Sequence, residues 1–139
     1  MVTVQYSYEF NYRQLESGSS PILQIRVSKP GRGSGQDVDV DAYLDSGAEY
    51  SIFNGWIIPA LGLDLPCDRT REYSPTAGQP IRAYLHRVSL SHPELGSFEM
   101  ELGFSIGEIR RNLLGRDFFN LLQIGFRERQ MKYYVTAVP

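Results

Sequence analysis

Hydrophobic and polar residues alternate along most of this chain, and helical spacing is scarce. Residues 2–10 alternate with aromatic and β-branched side chains and predict a strand. Ile22-Leu23-Gln24-Ile25-Arg26-Val27 predicts a second strand, and residues 38–44 a third. Residues 29–35 read as a loop on their glycine and proline content. Residues 71–74 and 81–85 flank a tip rich in turn formers, which predicts a hairpin whose second strand continues to Leu90. Residues 98–102 alternate again, and residues 130–138 close the chain as a strand. Two short stretches break this rhythm. Residues 54–62 suit one or two helical turns, with Asn54 as N-cap, Pro59 limiting the length and Gly62 as the stop. The apolar run from Phe118 to Leu122 suits another short helix. Trp56 is expected in the core. Short strands separated by turn signals predict an all-β domain, closed or sandwiched, with one or two short helices.

Composition narrows the classes of function. A chain of 139 residues fits one domain with a real core. At 42% hydrophobic and 22% charged residues it reads as an ordinary globular protein. The formal net charge of −2 and the scattered basic residues argue against a nucleic-acid binder. The densest basic group, residues 127–132, is interrupted by Glu128 and reads as a solvated turn. Cys67 is the single cysteine, so no intrachain disulfide or thiolate cluster is possible, and a reducing, cytoplasmic setting is expected. The first residues lack the basic and apolar regions of a secretory signal, and no stretch approaches the ~20 apolar residues of a membrane span. Residues 1–20 read as an N-terminal strand or arm and residues 21–139 as the main domain. Ser17-Gly18-Ser19-Ser20 between them reads as flexible and open to self-cleavage.

The third strand ends in Asp45-Ser46-Gly47, followed by Ala48 and, three residues on, Ser51. All three are turn formers, and about one chain in twenty of this length carries such a tripeptide by chance. A carboxylate at the end of a buried strand, with a hydroxyl and a glycine behind it, is also a chemical arrangement, because glycine lets the backbone approach closely. Asp37, Asp39, Asp41 and Asp45 share one strand face, which invites a calcium reading. A calcium loop needs glycine and glutamate at its sixth and twelfth positions, where this chain has Ala42 and Ala48, so a solvated face is the better reading. His86 and His92 read as surface residues, no hydroxyl–histidine–carboxylate pattern stands out, and Cys67 has no evident base.

Context adds to the tripeptide. Leu44-Asp45-Ser46-Gly47-Ala48-Glu49-Tyr50-Ser51 resembles the active-site motif of retropepsin-like aspartic proteases, and Asn112-Leu113-Leu114-Gly115-Arg116-Asp117-Phe118-Phe119 resembles their second signature. The order of the two motifs matches as well, with the hairpin between them, and the resemblance spans residues 20–138. It implies the closed, barrel-like acid-protease fold and an aspartic endopeptidase acting on polypeptides, without metal or organic cofactor. Asp45 resembles the catalytic aspartate. Ser46 resembles the hydroxyl that hydrogen-bonds across a dimer interface, and Gly47 the glycine beside carboxylate and substrate. Ala48 resembles the residue at the base of the cleft. Arg116 resembles a buried arginine tying the second motif to the first loop, with Glu49 as the acid within its reach. Thr76, Ala77, Gly78 and Gln79 resemble the tip of a flap over substrate, though with a single glycine. Tyr73 beside them either lines a substrate pocket or is a plain hairpin aromatic.

The chemistry of the resemblance needs two carboxylates sharing one proton, since like charges about 3 Å apart cannot both ionise. This chain has one such motif; Asp117 follows Gly115 and Arg116 and is not a second. The resemblance therefore implies a two-fold homodimer, joined through terminal strands with residues 130–138 as the candidate. A non-catalytic dimerisation or peptide-binding module on the same fold is the alternative, and a monomeric β-barrel ligand binder a third.

Overall fold

The computed structural model describes residues 1–31, 36–75 and 77–137. Three short strands come first: β1 (Tyr8–Asn11), β2 (Arg13–Leu15) and β3 (Gly18–Ser20). They are followed by β4 (Ile22–Ser28), β5 (Val38–Leu44), β6 (Ile52–Phe53), the helical turn α1 (Ile57–Ala60), β7 (Thr70–Tyr73), β8 (Ile81–His92) and β9 (Gly96–Ser105). The chain ends with β10 (Asn112–Leu114), α2 (Arg116–Phe119), β11 (Leu122–Arg127), a 3-10 turn at Glu128–Gln130 and β12 (Lys132–Ala137).

The main sheet runs β4-β5-β10-β6-β9-β8-β7, and β8 also pairs back onto β4, closing a ring of strands. The expected all-β architecture with two short helices is observed. Strict alternation drives the closure. In β4, Leu23, Ile25 and Val27 point inward while Gln24 and Arg26 face water. In β5, Val40, Ala42 and Leu44 do the same, leaving Asp39 and Asp41 outside. Those two acids form surface pairs with Arg26 and Arg13, which bears out the solvated-face reading. Met100, Leu102 and Phe104 of β9 and Val88 and Leu90 of β8 complete the wall, and Ile57, Ile58, Leu61 and Phe118 plug it. Each such aliphatic or aromatic side chain contributes roughly 1.5–3 kcal/mol when fully buried.

A second sheet, ordered β1-β12-β11, packs on the ring. Tyr133 is its anchor: its ring stacks on Phe10 at 5.1 Å between centroids, and its buried hydroxyl donates to the Ile22 carbonyl at 3.0 Å. Burial pushes the Tyr133 phenol well above its ordinary pKa. Beside it, Tyr12 donates to the Glu128 carboxylate, and burial followed by that carboxylate raises the phenol to about 12.

Several expectations need correction. The expected 2–10 strand begins only at Tyr8 and runs to Asn11. The Ser17–Ser20 stretch is part of the β2–β3 hairpin, with Leu15 opposite Gly18 and Gly18 at φ +124°, a conformation glycine supplies. Asn54 does not cap α1. It is buried, its Oδ1 accepts the Ile109 N–H at 2.9 Å, and its Nδ2 donates to Asn112 at 3.1 Å. Trp56 is 57% exposed, because Ile57, Ile58 and Leu61 take the inward positions of that turn. The second helix starts and ends earlier than Phe118–Leu122, and Leu122 opens a strand instead. Residues 130–138 hold the strand Lys132–Ala137, but it lies between β1 and β11, so both its edges are used within the chain. Val138 lies outside the described residues.

Candidate active site

β5 and β10 run side by side and parallel, with Leu44 opposite Leu114. Two parallel strands ending in register deliver the residues that follow them, Asp45 and Gly115, to the same place. The Asp45 N–H donates to the Leu114 carbonyl at 2.9 Å. The Arg116 N–H then donates to the Ala48 carbonyl at 2.8 Å, and the Asp117 N–H to the Glu49 carbonyl at 3.3 Å. The two motifs are thus laced together by main-chain bonds, and Gly115 is required at the crossing. A Cβ there would sit 2.6 Å from the Ala48 carbonyl oxygen.

Asp45 is half-buried at the mouth of this crossing. Its Oδ1 accepts the Gly47 N–H at 2.9 Å, a bond that turns the carboxylate back over its own loop. Among the described residues, its Oδ2 takes no hydrogen bond and is free to meet a water or a second carboxylate. Ser46 and Gly47 are exposed, and Ala48 is half-buried against Gly115.

The residue that locks the loop is Ser51, fully buried at the end of the first motif. Its N–H points at both Asp117 oxygens at 3.0 Å, and its hydroxyl donates to Asp117 Oδ1 at 2.6 Å. That hydroxyl also accepts the buried Gly115 N–H at 2.9 Å. Asp117 further accepts the Phe118 N–H at 2.8 Å, so one carboxylate organises both the loop and the first turn of α2. Sequence reasoning noted Ser51 only as part of the motif and set Asp117 aside. The available signal was an acid in the first turn of a short helix, where free N–H groups favour it.

The β7–β8 hairpin is tied to the same hub. Tyr73 is half-buried, its hydroxyl donates to the Ser51 carbonyl at 2.8 Å, and Gly103 N–H reaches that carbonyl at 3.3 Å. The Tyr73 ring lies over Gly103, where a Cβ would meet ring carbon Cζ at 2.8 Å. Burial raises the Tyr73 phenol, while Arg71 acts in the opposite direction. Arg71 itself lies over the Tyr50 ring at 3.8 Å, a cation–π contact at the rim of the aspartate loop. Tyr73 is therefore a structural bolt, and a glycine inside the alternating β9 pattern was its sequence signal. Ala77, Gly78 and Gln79 are exposed at the hairpin tip, and Gly78 has φ +103°. Thr76 lies outside the described residues.

Arg116 departs from expectation. It is exposed in the single chain, and among the described residues it forms no ion pair with Glu49. Residues two apart on a helix point to nearly opposite sides, and Phe118 takes the inward side. His86 and His92 are half-buried rather than on the surface. His86 Nε2 contacts the Leu65 carbonyl at 2.7 Å, and His92 Nδ1 accepts the Glu94 and Leu95 N–H groups at 3.1 and 3.4 Å. Among the described residues, no cluster of acids, histidines or cysteines is arranged to hold a metal.

No protein-family model and no curated protein sequence matches this chain. Solved structures do. A retropepsin-like aspartic protease from Rickettsia conorii aligns over 98% of this chain and 100% of its own, with 16% identity and a TM-score of 0.62. The EIAV protease, complexed with the inhibitor HBY-793, aligns over 73% of this chain and 86% of its own, with 18% identity and a TM-score of 0.49. The fold is that of the retropepsin-like aspartic proteases.

Proposed function

We propose that this protein is an aspartic endopeptidase whose active site forms between two copies of the chain, each supplying one Asp45. The observation that carries this reading is the crossing of the two motifs. A carboxylate with one oxygen unengaged among the described residues stands on a loop held by Leu114, Gly115, Arg116 and Asp117. So much fixed hydrogen bonding around one aspartate is more than a strand-ending turn needs, and it suits a group that must be held in place for chemistry.

In this reading the paired Asp45 carboxylates share one proton. The ionised partner removes a proton from water as that water attacks the scissile carbonyl. The protonated partner donates a hydrogen bond to the carbonyl oxygen as negative charge develops there. Proton return to the leaving nitrogen completes cleavage and restores the shared proton. In this reading Gly47 leaves room for substrate backbone beside the carboxylates, and Ser46, exposed in the single chain, bonds across to the other copy. Substrate lies extended beneath the β7–β8 hairpins, adding as a strand, with apolar side chains flanking the scissile bond. Tyr73 and Arg71 hold the base of each hairpin against the loop that carries Asp45.

A peptide-library cleavage assay across pH, on wild type and Asp45→Asn, tests this directly. Cleavage by wild type that is lost in Asp45→Asn supports the proposal. Equal cleavage by both removes Asp45 from the mechanism, and no cleavage by either, with a dimer present, favours a non-catalytic peptide-binding module.

A further inference from the structure

Two arginines flank the segment that carries Asp45, and each lies over a tyrosine of that segment. Tyr50, at the end of the first motif, is 40% exposed, and the Arg71 guanidinium carbon is 3.8 Å from its ring centroid. Tyr43, two residues before Asp45, has the Arg111 guanidinium carbon 4.6 Å from its ring centroid. The Asp45 N–H continues the β5–β10 ladder to the Leu114 carbonyl, and side chains two apart on an extended chain share a face. Tyr43 therefore stands on the Asp45 side of β5, away from the core residues Ala42 and Leu44. In β7, Arg71 and Tyr73 share a face in the same way, and the Tyr73 hydroxyl on the Ser51 carbonyl fixes that face against the first motif.

Neither arginine has a counter-charge. Among the described residues, the ion pairs are made by Arg13, Arg26, Arg69, Arg87 and Lys132, and none involves Arg71 or Arg111. Glu72, beside Arg71 in sequence, projects from the opposite face of β7. In a chain of formal net charge −2, two uncompensated cations beside the aspartate loop are a local feature and not a property of the whole surface. Arg71 is also half-buried, and withdrawing an unpaired charge from water is unfavourable unless a partner arrives. A guanidinium this close to a ring centroid contacts the ring through its face. Its N–H donors lie in its own plane, so the contact holds the group still and leaves its edge open. A carboxylate is the planar acceptor that fits that edge, through two parallel hydrogen bonds.

We propose that the substrate is an acidic polypeptide, and that Arg71 and Arg111 each bind a glutamate or aspartate side chain of it, beyond the apolar residues at the scissile bond. The inference rests on the two-aspartate reading for its reaction and adds the class of sequence that is cleaved. Two copies of the chain present each arginine twice, so acidic residues are favoured on both sides of the bond.

The test uses peptides with a central apolar pair and one glutamate walked through the neighbouring positions, each matched by the same peptide with glutamine, at a pH where glutamate is ionised. For wild type, kcat/KM at the best position on each side should be at least about tenfold higher for the glutamate member of the pair. In Arg71→Gln and in Arg111→Gln that ratio should fall towards one at the position the lost arginine serves. A change that only loosens the hairpin lowers both members equally, so an unchanged ratio overturns the assignment. Arg111→Glu, at an exposed site, should shift the preference at its position from glutamate to lysine. In parallel, fluorescence anisotropy of the same peptides, labelled, on Asp45→Asn protein reads binding without turnover. Cleavage by wild type with no preference for glutamate over glutamine overturns this inference and leaves the two-aspartate reading standing. No cleavage, with glutamate-selective binding that the arginine substitutions abolish, overturns the peptidase reading and keeps the acidic polypeptide as ligand. No cleavage and no selective binding overturns both.

Discussion

Ser51→Ala removes one oxygen atom from a fully buried site and creates no steric conflict, so its cost is almost purely that of hydrogen bonds. Two are lost. The 2.6 Å bond to the Asp117 carboxylate goes, and the buried Gly115 N–H loses its acceptor. The Ser51 N–H bonds to Asp117 survive, since they belong to the main chain. A hydrogen bond to a charged group is worth about 1.5–3 kcal/mol and a stranded buried donor costs about 1–3 kcal/mol, so the sum is roughly 2.5–6 kcal/mol. Against a typical domain stability of about 5–15 kcal/mol, that is a large fraction. Chemical denaturation at fixed protein concentration should show a lower midpoint with an unchanged slope. Ser46→Ala is the internal control: the same substitution in the same loop, but at an exposed hydroxyl with no hydrogen bond in the chain among the described residues. It should stay within about 0.5 kcal/mol of wild type at concentrations where the protein is monomeric. Equal effects from the two serines, or a Ser51→Ala change below about 0.5 kcal/mol, would refute the assignment of Ser51 as the lock of the loop.

Three further outcomes are expected. Gly103→Ala should destabilise by roughly 1–3 kcal/mol through overpacking against Tyr73, and denaturation of the Tyr73→Leu and double variants should show the two costs failing to add. Burial lowers the His92 pKa below its ordinary 6.5, with Glu94 partly opposing, so the unfolded chain takes up this proton at higher pH than the folded one. Stability from His92 is thus present above pH 6.5 and lost as pH falls towards the lowered value, and the melting temperature of His92→Asn should fall less than that of wild type across that interval. Gly115→Ala should lower both stability and any cleavage activity, because its Cβ meets the Ala48 carbonyl at the crossing of the two motifs; a variant that melts and cleaves like wild type would contradict that geometry.

What the chain discloses by itself follows the range of its interactions. The strands of the ring were readable because each buries one face, and alternation such as Leu23, Ile25, Val27 is a local signature of that. The β7–β8 hairpin was readable from its turn-forming tip. Asp45 was readable because the motif is contiguous. The hub behind it was not, because Ser51 meets Asp117 across 66 residues and Tyr73 across 22, and no local pattern encodes such pairings. Trp56 misled because its size suggests burial, whereas one helical turn has few inward positions and Ile57, Ile58 and Leu61 fill them. The place of β12 inside its sheet was also hidden, since period-two alternation shows which face is buried but not which edge is covered.

The central claim is that Asp45 works only opposite another Asp45, and mixing tests it most directly. Wild-type protein is combined with increasing Asp45→Asn at constant total concentration, allowed to exchange partners, and assayed for peptide cleavage. The account predicts that activity falls as the square of the wild-type fraction, because mixed dimers hold one carboxylate and do not turn over. Activity that falls only in direct proportion to the wild-type fraction, so that each wild-type chain keeps its full rate beside an inactive partner, would contradict it.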